Sequence, residues 1–288
     1  MKTLKRILAA TTLLVTLGFA SEANAQVPLE NFFKNPEKAG YQISPDGKYF
    51  SYMAPYENRL NLFVQEVGSD KATRITSETV RDLAGSMWAN GHRILYIKDT
   101  AGDENFQLYG VNVDGTDSKA YTAFPKVRTT IIDPLENIDS LVIIGLNKRN
   151  PQVFDPYRLN LNNGELTQLA ENPGNIQGWM TDHNGKLRVA LAIVDGVNTQ
   201  ILYRETEEQP FRPVLTTNFK ETVSFATFTP DNKMVYALTN IGRDKTALVL
   251  MDPATCEEKE VLYTNGKYDI SGVVYSELKK KLISVSCT

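Results

Sequence analysis

Residues 90–97 read Asn90-Gly91-His92-Arg93-Ile94-Leu95-Tyr96-Ile97, a turn-forming dipeptide followed by an apolar run. Asn-Gly is favoured in tight hairpins because both residues tolerate the positive φ angles that such turns need. Four further turn dipeptides precede comparable apolar runs: Asp46-Gly47, Glu136-Asn137, Asn184-Gly185 and Asp231-Asn232. The second residues of successive turns lie 44, 46, 48 and 47 positions apart, so the chain contains a repeat of nearly constant length.

A second series of turns alternates with the first. It comprises Gly68-Ser69, Asp114-Gly115, Asn163-Gly164 and Glu207-Glu208. Each of these turns follows a short strand pattern, so every repeat contains two hairpins, or four short strands. A period of about 45 residues with four strands is typical of a β-propeller blade, which buries its two faces against neighbouring blades. A β-sandwich is the alternative, but nothing in a sandwich requires a fixed period.

The sequence therefore predicts an all-β fold, a β-propeller of four-stranded blades with few helices. Five periods are complete and a sixth is partial: 41–80, 81–126, 127–174, 175–221, 222–269 and 270–288. The sixth period reaches only its second strand pattern, which would leave an unpaired apolar edge. We therefore expect residues 26–288 to be an incomplete propeller, truncated from the product of a longer gene.

The first 25 residues have the pattern of a secretory signal peptide. Lys2, Lys5 and Arg6 precede an apolar run at 7–19, and Ala23-Asn24-Ala25 is a small-x-small cleavage site. The apolar run is shorter than the ~20 residues that a spanning helix needs, which disfavours a membrane anchor. We expect cleavage after Ala25 and export to a bacterial periplasm or the medium, with no membrane anchor in the mature chain.

Composition narrows the classes of partner and cofactor. The chain has 31 Lys and Arg against 34 Asp and Glu, and this mildly acidic balance argues against nucleic acid as a partner. Cys256 and Cys287 would meet an oxidising compartment after export, so a disulfide is possible, although two unpaired thiols are favoured. No Cys-x-x-Cys, His-Glu-x-x-His or calcium-loop pattern occurs, so we expect no metal and no cofactor.

Several segments are similar to a known family. They are Val27-Pro28-Leu29-Glu30-Asn31-Phe32-Phe33-Lys34-Asn35-Pro36, Ser44-Pro45-Asp46-Gly47-Lys48-Tyr49, the stretch 99–109 with Gly102-Asp103-Glu104-Asn105, the stretch 147–159, and the stretch 239–246. Through them the chain resembles the N-terminal propeller of prolyl oligopeptidase family serine peptidases, in the bacterial dipeptidyl and acylaminoacyl peptidase branch. The resemblance covers nearly all of residues 27–288.

The resemblance implies a substrate-access role. In that family the propeller precedes an α/β-hydrolase domain, whose Ser, Asp and His form the catalytic triad, and it restricts entry to short peptides. The chain contains no Gly-x-Ser-x-Gly, so we expect no catalytic residue here, an inactive chain, and a C-terminal hydrolase domain as the missing partner. The alternative is a TolB-like periplasmic propeller that is not an enzyme and binds another protein.

The candidate binding residues come from the family-like loops. The resemblance implies that Glu104, flanked by Asp103 and Asn105, faces the hydrolase domain and pairs with an Arg there or with the N-terminal ammonium of a peptide. The alternative is a solvated loop that bonds its own backbone. Arg149 and Arg243 either hold the domain interface or are solvated at the rim. His92 and His183 are expected to have ordinary roles in turns.

Overall fold

The computed structural model describes residues 27–34 and 37–288, so the predicted signal peptide at 1–25 lies outside the described residues. The segment before Lys38 is a separate unit. Its described part contains one 3-10 helix, Leu29–Phe32, none of whose residues is buried. Across the described ranges, no helix is long and apolar enough to span a membrane.

Residues 38–288 form antiparallel sheets, which we number as blades in chain order. Blade 1 contains β1 (Ala39–Ile43), β2 (Tyr49–Tyr56), β3 (Arg59–Glu66) and β4 (Ala72–Arg74). Blade 2 contains β5 (Gly85–Asn90), β6 (Arg93–Lys98), β7 (Gln107–Asn112) and β8 (Lys119–Ala120). Blade 3 contains β9 (Thr129–Asp133), β10 (Leu141–Asn150), β11 (Val153–Asn160) and β12 (Leu166–Gln168).

The later sheets repeat this order. Blade 4 contains β13 (Ile176–Thr181), β14 (Leu187–Val194), β15 (Asn198–Tyr203) and β16 (Arg212–Thr217). Blade 5 contains β17 (Val223–Phe228), β18 (Val235–Thr239), β19 (Ala247–Met251) and β20 (Glu258–Tyr263). Blade 6 contains two described strands, β21 (Ile270–Ser276) and β22 (Lys281–Cys287). The prediction of an all-β propeller with five four-stranded sheets and a partial sixth is confirmed.

The repeat in sequence is also a repeat in turn chemistry. In blade 1 the Ser44 hydroxyl donates to Asp46 Oδ1 over 2.7 Å, and in blade 5 the Thr229 hydroxyl donates to Asp231 Oδ1 over 2.6 Å. These hydroxyl bonds, helped by a backbone N–H, lower the pKa of both carboxyls. Each carboxylate thus fixes the turn between the first and second strands of its blade.

The turn Asn90-Gly91 differs from the prediction of a positive φ angle at its glycine. Positive φ angles occur at Gly47, Gly185 and Asn232, but Gly91 is not among the residues with positive φ. A Cβ at Gly91 would lie 3.0 Å from the carboxylate of Asp46 in blade 1. A side chain at 91 would have to displace the Asp46 carboxylate, so the close approach of two blades, and not the backbone conformation, favours glycine here.

Buried apolar residues lie between blades more than within them. Four buried apolar clusters each join two neighbouring blades. Leu62 packs with Ile94 between blades 1 and 2, and Leu95 with Ile144 between blades 2 and 3. Tyr203 and Phe228 belong to the cluster between blades 4 and 5, and Leu238 and Ile270 to the cluster between blades 5 and 6. None of these four clusters joins blade 3 to blade 4 among the described residues. These clusters therefore cover both faces of blades 2 and 5 and one face of each of the other blades, in agreement with burial between neighbouring blades.

Both cysteines are free, as expected from the sequence. Cys256 is half-buried against the cluster between blades 4 and 5, whereas Cys287 is exposed in β22.

Candidate functional site

All five candidate residues lie in or beside connections between the second and third strands of a blade. Residues 103–105 lie between β6 and β7. Arg149 is the penultimate residue of β10, and Arg243 lies between β18 and β19. Because successive turns of an antiparallel sheet alternate between its two ends, these connections share one end of each blade. We call this end the upper rim, and the opposite end, with the turns between first and second strands, the lower rim.

The loop that carries Glu104 is ordered by its own polar groups. Asp99 is buried, and its Oδ1 lies 3.3 Å from Nε of Arg81. The other oxygen, Oδ2, accepts the N–H of Glu104 over 3.3 Å. The Asp103 carboxylate accepts the N–H of Thr100, and the loop is therefore fixed from both ends.

Asp103 and Asn105 bond mainly to each other. The Asn105 amide donates to Asp103 Oδ2 over 3.1 Å and to Asp103 O over 3.2 Å, and the Asn105 N–H donates to Asp103 Oδ1 over 3.1 Å. The side-chain bond from Asn105 is the main reason that the pKa of Asp103 is lowered. These two residues shape the turn, in agreement with a loop that bonds its own backbone.

Glu104 is different from its neighbours. Its φ is 56°, in the left-handed region that costs a non-glycine residue on the order of 1 kcal/mol. The side chain is exposed, and its carboxylate has no hydrogen-bond or ion-pair partner within the described part of the chain. The arrangement can accept hydrogen bonds from a cation placed above the upper rim.

Arg149 acts inside its own blade. Its Nε and Nη2 each lie 2.9 Å from one oxygen of Asp155, which is fully buried, and Nη2 also donates to Asn172 O over 2.7 Å. The Asn172 N–H donates to Asp155 Oδ1 over 2.7 Å. The bond to Asp155 raises the pKa of Arg149. This bidentate pair ties the upper end of blade 3 to the connection that leads to blade 4.

Arg243 is paired in a similar way. Its Nη2 donates to both carboxylate oxygens of Glu258, over 2.8 and 2.6 Å. Its Nη1 is buried and has no hydrogen-bond partner in the described structure. Among the five candidates, Glu104 is therefore the side chain whose charged group makes no hydrogen bond or ion pair with the described residues, whereas both arginines are paired with carboxylates of this chain.

His183 connects three blades, which the sequence did not indicate. Its ring stacks on Tyr275 with centroids 5.1 Å apart, Nε2 lies 2.9 Å from Phe228 O, and Nδ1 lies 3.3 Å from Oε1 of Glu277. These contacts lie at the lower rim, beside a cavity of about 320 Å³. The three partners, Phe228, Tyr275 and Glu277, are 45, 92 and 94 positions away along the chain, so no local signal could reveal them.

Metal binding has no support in the described ranges, where no group of three or more His, Cys, Asp or Glu side chains could hold an ion.

Comparison with known proteins gives matches to peptidases. The chain is 30% identical over 263 residues to dipeptidyl aminopeptidase BIII of Pseudoxanthomonas mexicana, covering 88% of this chain and 37% of that protein. It is 27% identical over 294 residues to dipeptidyl peptidase family member 6 of Caenorhabditis elegans, covering 95% of this chain and 39% of that protein. The chain thus spans less than two fifths of the length of these relatives. No family model matches it.

A solved prolyl endopeptidase has the same fold. It superimposes with a TM-score of 0.58 at 12% identity, covering 84% of this chain and 39% of that one. The sheets described above are therefore those of a β-propeller. The fold and the sequence matches together place the chain with the N-terminal propeller portions of the prolyl oligopeptidase family. Within that family the two sequence relatives are dipeptidyl peptidases by name, which confirms the resemblance.

Proposed function

We propose that this chain is the substrate-access propeller of an exported prolyl oligopeptidase family serine peptidase that acts on short peptides. The catalytic Ser, Asp and His belong, in this proposal, to an α/β-hydrolase domain that follows the propeller. The relatives support it because both are peptidases by name and extend far beyond the matched region.

Glu104 is the observation in this chain that supports peptide binding most directly. A peptide with a free N-terminus presents an ammonium group, and an ionised carboxylate is its natural acceptor. The carboxylates of Asp99 and Asp103 accept backbone N–H groups of the Glu104 loop and hold it in place before any ligand arrives, which reduces the ordering cost of binding. In the proposed complex, Glu104 receives the ammonium of the substrate.

The test uses the longer protein with Glu104→Gln, which removes the charge and keeps the size. We expect kcat/KM for a dipeptidyl chromogenic substrate to fall about tenfold or more, since charged hydrogen bonds contribute roughly 1.5–3 kcal/mol. Glu57→Gln is the matched control because Glu57 is also exposed, has a φ of 48° and lies in the corresponding connection of blade 1.

A second substrate with a blocked N-terminus distinguishes the two possible partners of Glu104, the substrate ammonium and a cation of the hydrolase domain. A loss for the free N-terminus but not for an N-acetylated substrate supports contact with the ammonium. An equal loss for both supports pairing with a cation of the hydrolase domain. Unchanged kinetics in Glu104→Gln would remove Glu104 from the site. The hydrolase domain itself is tested by the coding sequence after residue 288, which should contain an in-frame Gly-x-Ser-x-Gly.

A further inference from the structure

The chain contains Asn-Gly pairs at four places: Asn90-Gly91, Asn163-Gly164, Asn184-Gly185 and Asn265-Gly266. In such a pair the backbone nitrogen of the glycine can attack Cγ of the asparagine, because glycine has no side chain to hinder the approach. The attack requires a glycine N–H that is not committed to a hydrogen bond, a side-chain amide that can leave, and access for water. The four pairs differ in all three respects.

Two of the pairs are protected by the hydrogen bonds of their turns. The N–H of Gly164 donates to Asn160 O over 2.7 Å, and the N–H of Gly185 donates to Asp182 O over 2.9 Å. Neither nitrogen is available for attack while its turn is intact. These pairs can therefore react only after the turn opens locally.

Asn90 is protected by burial. Its side chain is 6% exposed, and its amide donates to Asp139 O of the next blade over 3.0 Å. On the other side of the pair, a Cβ at Gly91 would lie 3.0 Å from the carboxylate of Asp46. The amide is thus held in place and shielded from water by two neighbouring blades.

Asn265-Gly266 lies in the connection between β20 and β21, at the upper rim. Gly266 is exposed, and its N–H makes no hydrogen bond within the described part of the chain. The side-chain oxygen of Asn265 accepts the N–H of Lys267 over 2.9 Å and the N–H of Tyr268 over 3.1 Å. The amide nitrogen of Asn265 donates to none of the described residues, so nothing in them opposes its departure.

The two bonds to the side-chain oxygen favour attack on Asn265. When the Gly266 nitrogen adds to Cγ, negative charge develops on Oδ1. The N–H groups of Lys267 and Tyr268 already donate to this oxygen, so they stabilise the charge as an oxyanion hole does. Asn265-Gly266 therefore combines an available nucleophile, an unbonded leaving group and a stabilised oxyanion.

We propose that Asn265 is a site of spontaneous modification, at which the side-chain amide is lost through a cyclic imide. The Gly266 nitrogen forms a bond to Cγ, the bond from Cγ to the amide nitrogen breaks, and the proton of the Gly266 N–H passes through water to the departing group, which leaves as ammonia. Water then opens the imide at either carbonyl and gives aspartate or isoaspartate. The net reaction consumes one water and releases one ammonia, and it does not depend on the peptidase proposal.

The two products differ in their effect on the upper rim. Either one adds a negative charge to a chain whose formal net charge is −3. Aspartate can still accept the two N–H groups, whereas isoaspartate adds a methylene group to the backbone that connects blades 5 and 6. Asp269 of this connection accepts the N–H of Thr246 over 2.7 Å. We expect isoaspartate, and not aspartate, to loosen this attachment of blade 6.

Peptide mapping by mass spectrometry tests the site on the chain as it is. The purified protein is incubated at pH 8, and the conversion of each of the four asparagines is followed over time. We expect Asn265 to be converted about tenfold or more faster than the other three, because those must first be exposed by local opening. Labelling by a protein isoaspartyl methyltransferase identifies the isoaspartate product.

Incubation in concentrated urea separates the effect of structure from the effect of sequence. Unfolding removes the protection of the other three pairs, and every one of the four asparagines precedes glycine, so the four rates should converge. A native rate at Asn265 no higher than at Asn163 and Asn184 would overturn the proposal. The same conclusion would follow if the ratios of the four rates were equal in urea and in the native protein.

Gly266→Ala tests the nucleophile directly. Gly266 is not among the glycines with positive φ, and a Cβ there would meet no atom within 4 Å, so the loop can accommodate alanine. The added methyl group hinders the attack, and conversion of Asn265 should slow about tenfold or more. Gly272→Ala is the matched control, because Gly272 has the same two properties and no asparagine before it.

The control should convert Asn265 at the wild-type rate, and both variants should keep the wild-type Tm. An unchanged rate in Gly266→Ala would show that its nitrogen is not the nucleophile and would overturn the proposal. If Gly266→Ala does not fold, the comparison of native and urea rates in the wild-type chain decides the question.

Discussion

Glu104 stores backbone strain at the residue scale. Its φ of 56° is accessible to glycine without the Cβ penalty, and its side chain makes no described bond that would be lost. Glu104→Gly should therefore stabilise the fold by up to about 1 kcal/mol, whereas Glu104→Gln should change the free energy of unfolding by less than about 0.5 kcal/mol.

Denaturant titration of the two variants measures both values. Destabilisation by Glu104→Gly would mean that the glutamate side chain supports the loop, contrary to its free carboxylate here.

The two cysteines differ in environment. Burial is the main cause that raises the pKa of the Cys256 thiol to about 11, and nearby Asp252 acts in the same direction. The thiolate is the nucleophile, so Cys256 should be poorly reactive at neutral pH, whereas Cys287 is exposed.

We expect iodoacetamide at pH 7.5 to modify Cys287 first and Cys256 only when the protein unfolds. Peptide mapping after a short labelling time checks this order, and Cys287→Ser provides the control. Comparable early modification of Cys256 would contradict its burial.

At the element scale, Glu207 of blade 4 bonds Arg158 of blade 3 and the N–H of Leu187, and this environment predicts that the stability of the fold depends on pH. Burial alone would raise the pKa of Glu207, but the N–H of Leu187, the guanidinium of Arg158 and the ammonium of Lys186 together outweigh it and lower the pKa below 4.5. A carboxyl with a depressed folded-state pKa stabilises the fold above its unfolded pKa, and this contribution is lost as the pH falls through the folded value.

Glu207→Gln should therefore lower Tm at pH 7 by about 2–5 °C and by less below pH 4.5. Thermal scans from pH 3 to pH 8 measure the difference. Glu260→Gln is the control, because Glu260 is exposed in β20. A constant difference between Glu207→Gln and wild type across this range would contradict the role of the charge.

The sheets could be predicted from the sequence, but the bonds between them could not. A turn such as Asp46-Gly47 and its flanking strands are adjacent in the chain, so their pattern is visible locally. The pair Arg158–Glu207 joins residues 49 positions apart, and the contact of Gly91 with Asp46 crosses a blade boundary. At the site, the resemblance indicated Glu104, but only the structure shows its φ and the pairing of Arg149 and Arg243.

At the scale of the whole molecule, we propose that the protein is exported from the cytoplasm. The proposal rests on the positively charged N-terminal residues, the apolar run at 7–19 and the Ala23-Asn24-Ala25 cleavage site. N-terminal sequencing of the protein from a periplasmic fraction should begin at Gln26. Ala25→Lys should block cleavage and leave the longer form, because signal peptidase requires small residues at its site. Intact Met1 in the cytoplasmic fraction of cells that make the wild-type protein would contradict export.

Every strand of the five four-stranded sheets pairs only with strands next to it in sequence. Such local pairing keeps the loop-closure entropy small, because blade 1 needs no residue beyond Arg74 to complete its ladder. Folding can therefore follow synthesis, one sheet at a time, with each finished blade offering a surface on which the next one condenses. Because each ladder closes within its own repeat, the sheets can form in the order in which the chain emerges, from residue 39 towards residue 287.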